Sequence, residues 1–136
     1  MSRQQLKENE DEPVPIIIQE YIPHTYEIRV YMIGNRIIAY QVCGRNTAEE
    51  LWTAAEKIHI EPFELPTYVM KSLYIFKSKM KFDIGAIDLL IDNNSKYVFL
   101  EVNLSGDWHY YEKKAKNNQV STAVQDFIVR SVRNDD

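Results

Sequence analysis

Two carboxylates and one amide in the second half of the chain have the types and spacing of ligands for a hard metal ion. Asp88 lies within one apolar run, and Glu101 and Asn103 alternate along the next. Because successive side chains of a strand point to opposite faces, Glu101 and Asn103 would share a face. Mg²⁺ favours one or two carboxylates together with phosphate oxygens and waters. The pattern therefore indicates a magnesium site that a bound phosphate compound completes.

The elements that must position these residues are the two strands of a predicted hairpin. The strands span Phe82–Ile91 and Lys96–Asn103, and the loop between them is either Asn93-Asn94 or Asp92–Ser95. In this register a set of aliphatic side chains falls on one face, which supports the pairing. The set consists of Ile87, Leu89, Ile91, Val98, Leu100 and Val102.

The opposite face of the hairpin carries the acidic residues. The register places Asp88 near Phe99, with Glu101 diagonal to Asp88 at roughly 7–8 Å between backbones. The alternative interpretation is the solvated face of an ordinary hairpin, because strands often alternate with their charges outward. Apolar residues on the same face, Leu90 and Phe99 among them, favour a site instead. A turn after Asn103 ends the strand where a phosphate or a substrate could approach.

An arginine in an earlier hairpin is the candidate cation of this site. The strands of that hairpin span Glu27–Ile33 and Arg36–Cys43. Gly34, at the first of two turn positions, suits a type II′ turn. The register places Arg29 opposite Tyr40, on the face away from the aliphatic residues. We expect Arg29 to project to the same side of the sheet as the acidic pair; a surface arginine paired with a neighbouring carboxylate is the alternative.

The remaining elements complete an α+β chain with a mainly antiparallel sheet and flanking helices. Val14–Ile22 is rich in β-branched residues and is predicted to form a buried strand. Thr67–Met80 and about Asn118–Val132 have apolar stripes at helical spacing and are predicted helices. Asn46–His59 is either a helix or a structured loop.

Composition and charge indicate one domain without a nucleic-acid or membrane partner. The chain has 136 residues and a net charge of −4, which provides no basic surface for nucleic acid or an anionic membrane. No apolar run approaches the roughly 20 residues of a membrane span. A single cysteine excludes an internal disulfide and suggests the cytoplasm. The predicted divisions are a disordered leader over 1–13, the domain over 14–132 and a tail over 133–136.

Four segments together resemble the signature of ATP-grasp ligases. Gly85–Leu90 and Phe99–Trp108 resemble the strands that carry the metal ligands of that family. Ile18–Ile22 and Glu27–Val30 are similar to its hinge strand and its acidic-Ile-Arg element, in the right order. The resemblance covers about Val14 to Val132 and implies the C-terminal ATP-grasp subdomain. It is closest to the ligases that crosslink ribosomal peptides, the microviridin or graspetide type, and next to those that add glutamate to a protein tail.

The resemblance implies ATP and Mg²⁺ as cofactors. Asp88, Glu101 and Asn103 would then ligate the Mg²⁺ ions that bridge the ATP phosphates. Arg29 would neutralise the transferring phosphate or the acyl phosphate.

The nucleotide itself would meet three residues near the first hairpin. By resemblance, Glu20 and Tyr21 would contact the adenine, largely through backbone groups, and Glu27 would lie near the ribose. Plain sheet structure is the alternative for all three residues.

The implied activity is carboxylate activation on a peptide or a small carboxylate substrate. ATP phosphorylates the carboxylate, and a hydroxyl or an amine then attacks the acyl phosphate. Because such enzymes hold the nucleotide between two subdomains, we expect a chain that begins at the hinge to be incomplete, to bind Mg·ATP weakly or not at all and to self-associate through exposed apolar surface. The peptide-crosslinking branch also has an Asp-Trp-Arg element where this chain reads Leu51-Trp52-Thr53.

Two other hypotheses remain open. The chain could be a non-catalytic ATP-grasp remnant that binds a peptide or a protein, or an unrelated α+β domain with an accidental acidic pair. An aromatic group after the second hairpin, Trp108, Tyr110 and Tyr111, would either line a peptide groove or pack under the last helix.

Overall fold

A five-stranded antiparallel sheet with the strand order β3-β2-β1-β4-β5 organises the protein. The computed structural model describes residues 19–43 and 58–133. In chain order the elements are β1 (His24–Ile33), β2 (Arg36–Cys43), β3 (His59–Phe63), α1 (Thr67–Met80), β4 (Ile84–Asp92), β5 (Tyr97–Asn103), α2 (His109–Ala115) and α3 (Gln119–Arg133). The α+β prediction with a mainly antiparallel sheet and flanking helices is confirmed.

Helices cover the two faces of the sheet unequally. Helix α1 packs on one face through Val69 and Leu73, against strand residues such as Val30 and Ile87. Helix α3 packs on the other face through Val120 and Ala123. Toward the N-terminal end of β1, that second face opens into a cleft. The fold thus keeps one end of one sheet face accessible.

The first hairpin has the predicted register. Arg29 is paired with Tyr40, and Ile33 is paired with Arg36. Gly34 adopts a φ of 54°, the left-handed conformation that a type II′ turn requires at its first position. Alternation of apolar residues is a local signal, and here it identified the core face of both strands correctly.

The second hairpin departs from the predicted register along its whole length, and a bulge also changes which face its outer residues occupy. Asp88 lies directly opposite Glu101, whereas the next pair is Leu89 with Phe99, so Leu100 is an extra residue in a β-bulge. The bulge reverses the predicted faces of the residues beyond it. Phe99 lies on the α1 side, where its ring is 5.1 Å from the ring of Phe76, and it does not share a face with Asp88.

Val98 and Leu100 likewise leave the predicted aliphatic face. Val98 is paired with Leu90, which faces away from α1, and Leu100 lines the cleft. Glu101 and Asn103 keep the predicted face because they lie on the near side of the bulge.

Three further predictions need correction or fall outside the described residues. The predicted strand Val14–Ile22 is not a strand over its described part, residues 19–22. Strand β1 is already paired with β2 on one edge and with β4 on the other, so it has no unpaired edge with which residues 19–22 could form a ladder. The leader over 1–13 and most of Asn46–His59 lie outside the described residues.

Two elements were absent from the sequence prediction, β3 and α2. Strand β3 contains Pro62, which lacks a backbone donor and is tolerated because β3 is an edge strand. Helix α2 has only 7 residues, too few for a clear periodic pattern. No helix in the described ranges is long and apolar enough to cross a membrane.

Candidate functional site

Four side chains form a line across neighbouring strands, which we call the cross-strand row: Tyr40, Arg29, Asp88 and Glu101. Arg29 is the Cα partner of both Tyr40 on β2 and Asp88 on β4. Asp88 is in turn the partner of Glu101 on β5. Directly paired residues point to the same side of a sheet, so the row places one cation between a phenol and two carboxylates on one face. The expected common side of Arg29 and the acidic pair is therefore observed.

An ion pair joins the two central members of the row. Arg29 Nη1 donates to Asp88 Oδ2 at 2.5 Å, and the side chains are only 11% and 24% exposed. Burial by itself lowers the pKa of Arg29, but the hydrogen bond and the charge of Asp88 outweigh it and raise the pKa above its ordinary value. Arg29 is therefore a permanent cation in this site, and its buried Nε makes no hydrogen bond.

Two tyrosine rings flank the guanidinium of Arg29. Its central carbon lies 5.7 Å from the ring centroid of Tyr31 and 5.5 Å from that of Tyr111. Burial raises the pKa of the Tyr31 phenol, although the Arg29 cation acts in the opposite direction. Burial and then the Glu112 carboxylate raise the pKa of Tyr40 to about 12. The phenols of Tyr31 and Tyr40 therefore stay neutral at physiological pH.

The loop before α2 lies tightly against the sheet. A Cβ on Gly106 would be 3.0 Å from the Cβ of Ala86, so glycine permits the close approach. The Tyr31 hydroxyl donates to the backbone carbonyl of Asp107 at 2.7 Å. Both contacts fix the loop that leads into α2 against β1 and β4.

A buried carboxylate joins α2 to α3. Glu112, only 5% exposed, accepts hydrogen bonds from the backbone N–H of Ser121 at 2.8 Å and from its hydroxyl at 2.5 Å. The indole N–H of Trp108 donates to the same hydroxyl at 3.1 Å. Since the N–H groups of the first turn lack helical partners, Glu112 acts as a cap for α3 from outside that helix.

The acidic pair fits a magnesium ion that other ligands complete. Directly opposite residues have Cβ atoms about 4.5–5.5 Å apart, so Asp88 and Glu101 are close enough to share an ion. Asn103 lies one row away, and its side-chain oxygen accepts hydrogen bonds from the backbone and the hydroxyl of Ser105. In residues 19–43 and 58–133, no group of three His, Cys, Asp or Glu forms a metal cage. This donor set suits Mg²⁺ bound with phosphate, not a self-sufficient protein site.

The cleft beside the row has a volume of about 540 Å³ and receives most of the predicted site residues. Glu20, Tyr21, Glu27, Arg29, Asp88 and Glu101 line it, whereas Asn103 does not. His24 Nε2 lies 3.4 Å from Glu27 Oε1 at its mouth.

Tyr111 and Leu100 are among the lining residues that sequence reasoning did not assign to the site. Tyr111 packs against tyrosines of the sheet and lines the cleft. Leu100 lines the cleft because the bulge turns its side chain to that face. The only sequence signal for Tyr111 was its membership of an aromatic group with two possible roles.

Comparison with known proteins identifies a family match along most of the chain. Residues 2–128 match the family model of the RimK-like ATP-grasp domain. No curated protein matches the chain.

Solved structures of peptide-modifying enzymes share the fold. The chain is similar to macrocyclase MdnC bound with precursor peptide MdnA from Microcystis aeruginosa MRC, at 24% identity and a TM-score of 0.69 over 81% of this chain and 34% of that one. It is also similar to macrocyclase MdnB from the same organism, at 27% identity and a TM-score of 0.66 over 82% of this chain and 40% of that one.

A third similar structure holds a nucleotide. The RiPP-associated ATP-grasp ligase of Chryseobacterium gregarium, in complex with ADP and a leader and core peptide, is 19% identical with a TM-score of 0.69, over 81% of this chain and 34% of that one. The chain thus spans little more than a third of the length of the structures it matches.

Proposed function

We propose that this chain, which belongs to the RimK-like ATP-grasp family, forms the Mg·ATP-binding part of a ligase that activates a carboxylate on a peptide. The observation that carries the proposal is the cross-strand row beside the cleft. A buried, permanently charged arginine next to two carboxylates is suited to a metal-bound phosphate, because it supplies charge of both signs on one rigid face.

The residues of the row would act by positioning and by charge. Asp88 and Glu101 would hold Mg²⁺, with Asn103 beside them. The bound ion would neutralise negative charge on the ATP phosphates. Arg29 would donate N–H groups to the transferring phosphoryl group and later to the acyl phosphate.

The proposed reaction has two steps that share this site. The γ-phosphoryl group passes from ATP to a carboxylate oxygen of the substrate, and ADP leaves. A hydroxyl or an amine then attacks the acyl carbon, loses its proton and displaces phosphate, which gives an ester or an amide. Since phosphate leaves from the same place to which it was transferred, one cation can serve both steps.

The cleft mouth is the proposed place of the nucleoside. Glu20 and Tyr21 would contact the adenine, and Glu27 would lie near the ribose; all three line the cleft. Tyr21 is 67% exposed, which leaves its ring available for a planar ligand. The neighbouring structures that hold precursor peptides support a peptide as the carboxylate substrate.

Titration of the isotope-labelled chain with Mg·ADP tests the proposal. We expect NMR shift changes at the cross-strand row and at Glu20 and Tyr21, but none on the solvent face of α1. Binding that persists without Mg²⁺, or shift changes confined to the α1 side, would contradict it. Binding of a precursor peptide without any response to Mg·ADP would instead favour the non-catalytic peptide-binding module.

A further inference from the structure

We propose that Tyr111 is a positioning residue that holds the Arg29 guanidinium in the orientation used by the cross-strand row. The claim that Tyr111 positions Arg29 depends only on the observed distance between the Tyr111 ring and the guanidinium. The consequence for phosphate binding rests on the proposed function above. Tyr111 would touch Arg29 and not the reacting atoms.

The Arg29 side chain is restrained on several sides. Asp88 pairs with one terminal nitrogen, while the rings of Tyr31 and Tyr111 lie within cation–π distance of the guanidinium carbon at 5.7 and 5.5 Å. An arginine has many rotamers, and ordering it alone is unfavourable. Attraction between a cation and an aromatic face strengthens when water is excluded, as it is around this side chain with its 11% exposure.

Tyr31 and Tyr111 differ in how they are placed. Tyr31 belongs to β1, so it is already positioned two residues from Arg29 by the strand itself. Tyr111 comes from α2 and lies edge-on to Tyr31, with 5.9 Å between centroids and 77° between planes. Because a seven-residue helix is marginal in isolation, the position of Tyr111 depends on the contacts of α2.

Those contacts make α2 a rigid support. Gly106 lies against Ala86, and Glu112, the residue after Tyr111, is bound to the first turn of α3 through Ser121. The backbone that carries Tyr111 is therefore fixed both by the loop before α2 and by α3. A flexible loop would instead let the ring move with the guanidinium.

Simple packing of α2 onto the sheet is the competing explanation for Tyr111. Under that explanation any large apolar side chain would serve, and Arg29 would keep its environment without an aromatic ring. Under our proposal the π face is required, so Tyr111→Phe retains the effect and Tyr111→Leu loses it.

The first experiment measures the side-chain Nε–H signal of Arg29 by NMR in the unliganded full chain. In Tyr111→Leu we expect the ring-current shift to shrink and hydrogen exchange to accelerate by about tenfold, the factor that corresponds to a partly desolvated cation–π contact. Tyr111→Phe should match the wild type. Tyr68→Leu is the control, because Tyr68 is 61% exposed on α1, which packs on the opposite face of the sheet.

The indole N–H signal of Trp108 reports whether α2 stays docked, since it donates to Ser121. An unchanged Trp108 signal together with a changed Arg29 signal supports the proposal. An unchanged Arg29 signal in Tyr111→Leu overturns it, and so does an equal change in Tyr68→Leu.

A second variant covers the case in which Tyr111→Leu does not fold. Arg29→Met removes the cation and leaves Tyr111 in place, and it should shift the ring carbons of Tyr111. Lys114→Met should leave them unchanged, and an equal response of the Tyr111 ring to both variants would contradict the proposal.

Titration with Mg·ATP separates the two hypotheses, because ATP carries the γ-phosphoryl group that Arg29 would contact. If Tyr111→Leu changes the Arg29 signal and weakens Mg·ATP binding by about tenfold, both stand. If the Arg29 signal changes but the wild-type chain gives no Mg·ATP response at the row, the positioning role stands and the proposed function fails.

Discussion

Arg29 and Asp88, separated by 59 positions in the chain, are direct partners across β1 and β4, and their charged groups meet at 2.5 Å. The same pairing continues to Tyr40 on one side and to Glu101 on the other. A cation at the centre of this row is held before any ligand arrives. Preorganised charge of this kind needs little rearrangement when a phosphate binds, which is why it is effective in phosphoryl transfer.

Removal of the Asp88 charge should destabilise the fold and remove the ion pair between Arg29 and Asp88. In Asp88→Asn the Arg29 cation, 11% exposed, loses its anionic partner. We expect the free energy of unfolding to fall by about 1–3 kcal/mol, as for other partly buried groups that lose a charged hydrogen-bond partner. Urea denaturation measures it. Asp83→Asn is the matched control because the Asp83 side chain is exposed, and an equal loss in both variants would contradict the prediction.

Removal of the Glu101 charge should affect metal binding and not stability. Glu101 is exposed on the edge strand, so Glu101→Gln should change the free energy of unfolding by less than about 0.5 kcal/mol. Its affinity for Mg·ADP should fall by at least about tenfold, the loss seen even for residues that only support metal ligands. Calorimetric titration checks this, with Glu64→Gln as the exposed control. Unchanged affinity would remove Glu101 from the proposed metal site.

Loss of the Ser121 hydroxyl should weaken the junction of α2 and α3. Ser121→Ala removes a 2.5 Å hydrogen bond to buried Glu112 and the acceptor of the Trp108 indole. A decrease of about 1–3 kcal/mol in the free energy of unfolding is expected because a buried carboxylate loses a hydrogen bond, although the Ser121 backbone N–H still donates to Glu112. In Ser131→Ala the lost bond is to the exposed carbonyl of Phe127, so the effect should be smaller. Thermal and urea denaturation of both variants compare them directly, and equal losses would argue against a special role for the hydrogen bond between the Ser121 hydroxyl and Glu112.

Stability should decrease at alkaline pH because of Tyr40. Its pKa rises from 10.0 to about 12 in the folded protein. Above pH 10 the unfolded chain loses this proton first, so the unfolded state binds fewer protons and the free energy of unfolding falls as pH rises toward 12. Below pH 10 this residue contributes no pH dependence.

Denaturation at a series of pH values tests the Tyr40 prediction. Tyr40→Phe should make the alkaline decline less steep, with a remainder due to Tyr31, whose pKa burial also raises; Tyr68→Phe, at a position where the side chain is 61% exposed, should not change it. A decline of the same steepness in Tyr40→Phe would assign the effect to other groups.

Much of the site was predictable from local patterns. Alternation along Glu27–Ile33 and the glycine turn placed Arg29 opposite Tyr40, and the structure has this pair. Helix α1 begins at Thr67 and ends at Met80 as predicted, since Pro66 precedes it and apolar residues recur at helical spacing. The motif around Asp88 and Glu101 pointed to the family that the comparison supports. These signals depend on the backbone geometry of neighbouring residues, which the sequence specifies directly.

Other features arise only from packing between distant segments. The bulge at Leu100 moves Phe99 to the α1 side and brings Asp88 directly opposite Glu101, closer than the predicted diagonal. It depends on how both faces of β5 pack, because uninterrupted alternation would fit the local sequence equally well. Tertiary contacts also decide that β4 lies beside β1 and that α2 brings Tyr111 to Arg29. The sequence alone indicated the common face of Arg29, Asp88 and Glu101, whereas the free energy of packing, summed over residues far apart in the chain, decided the faces of the residues beyond the bulge and which groups meet.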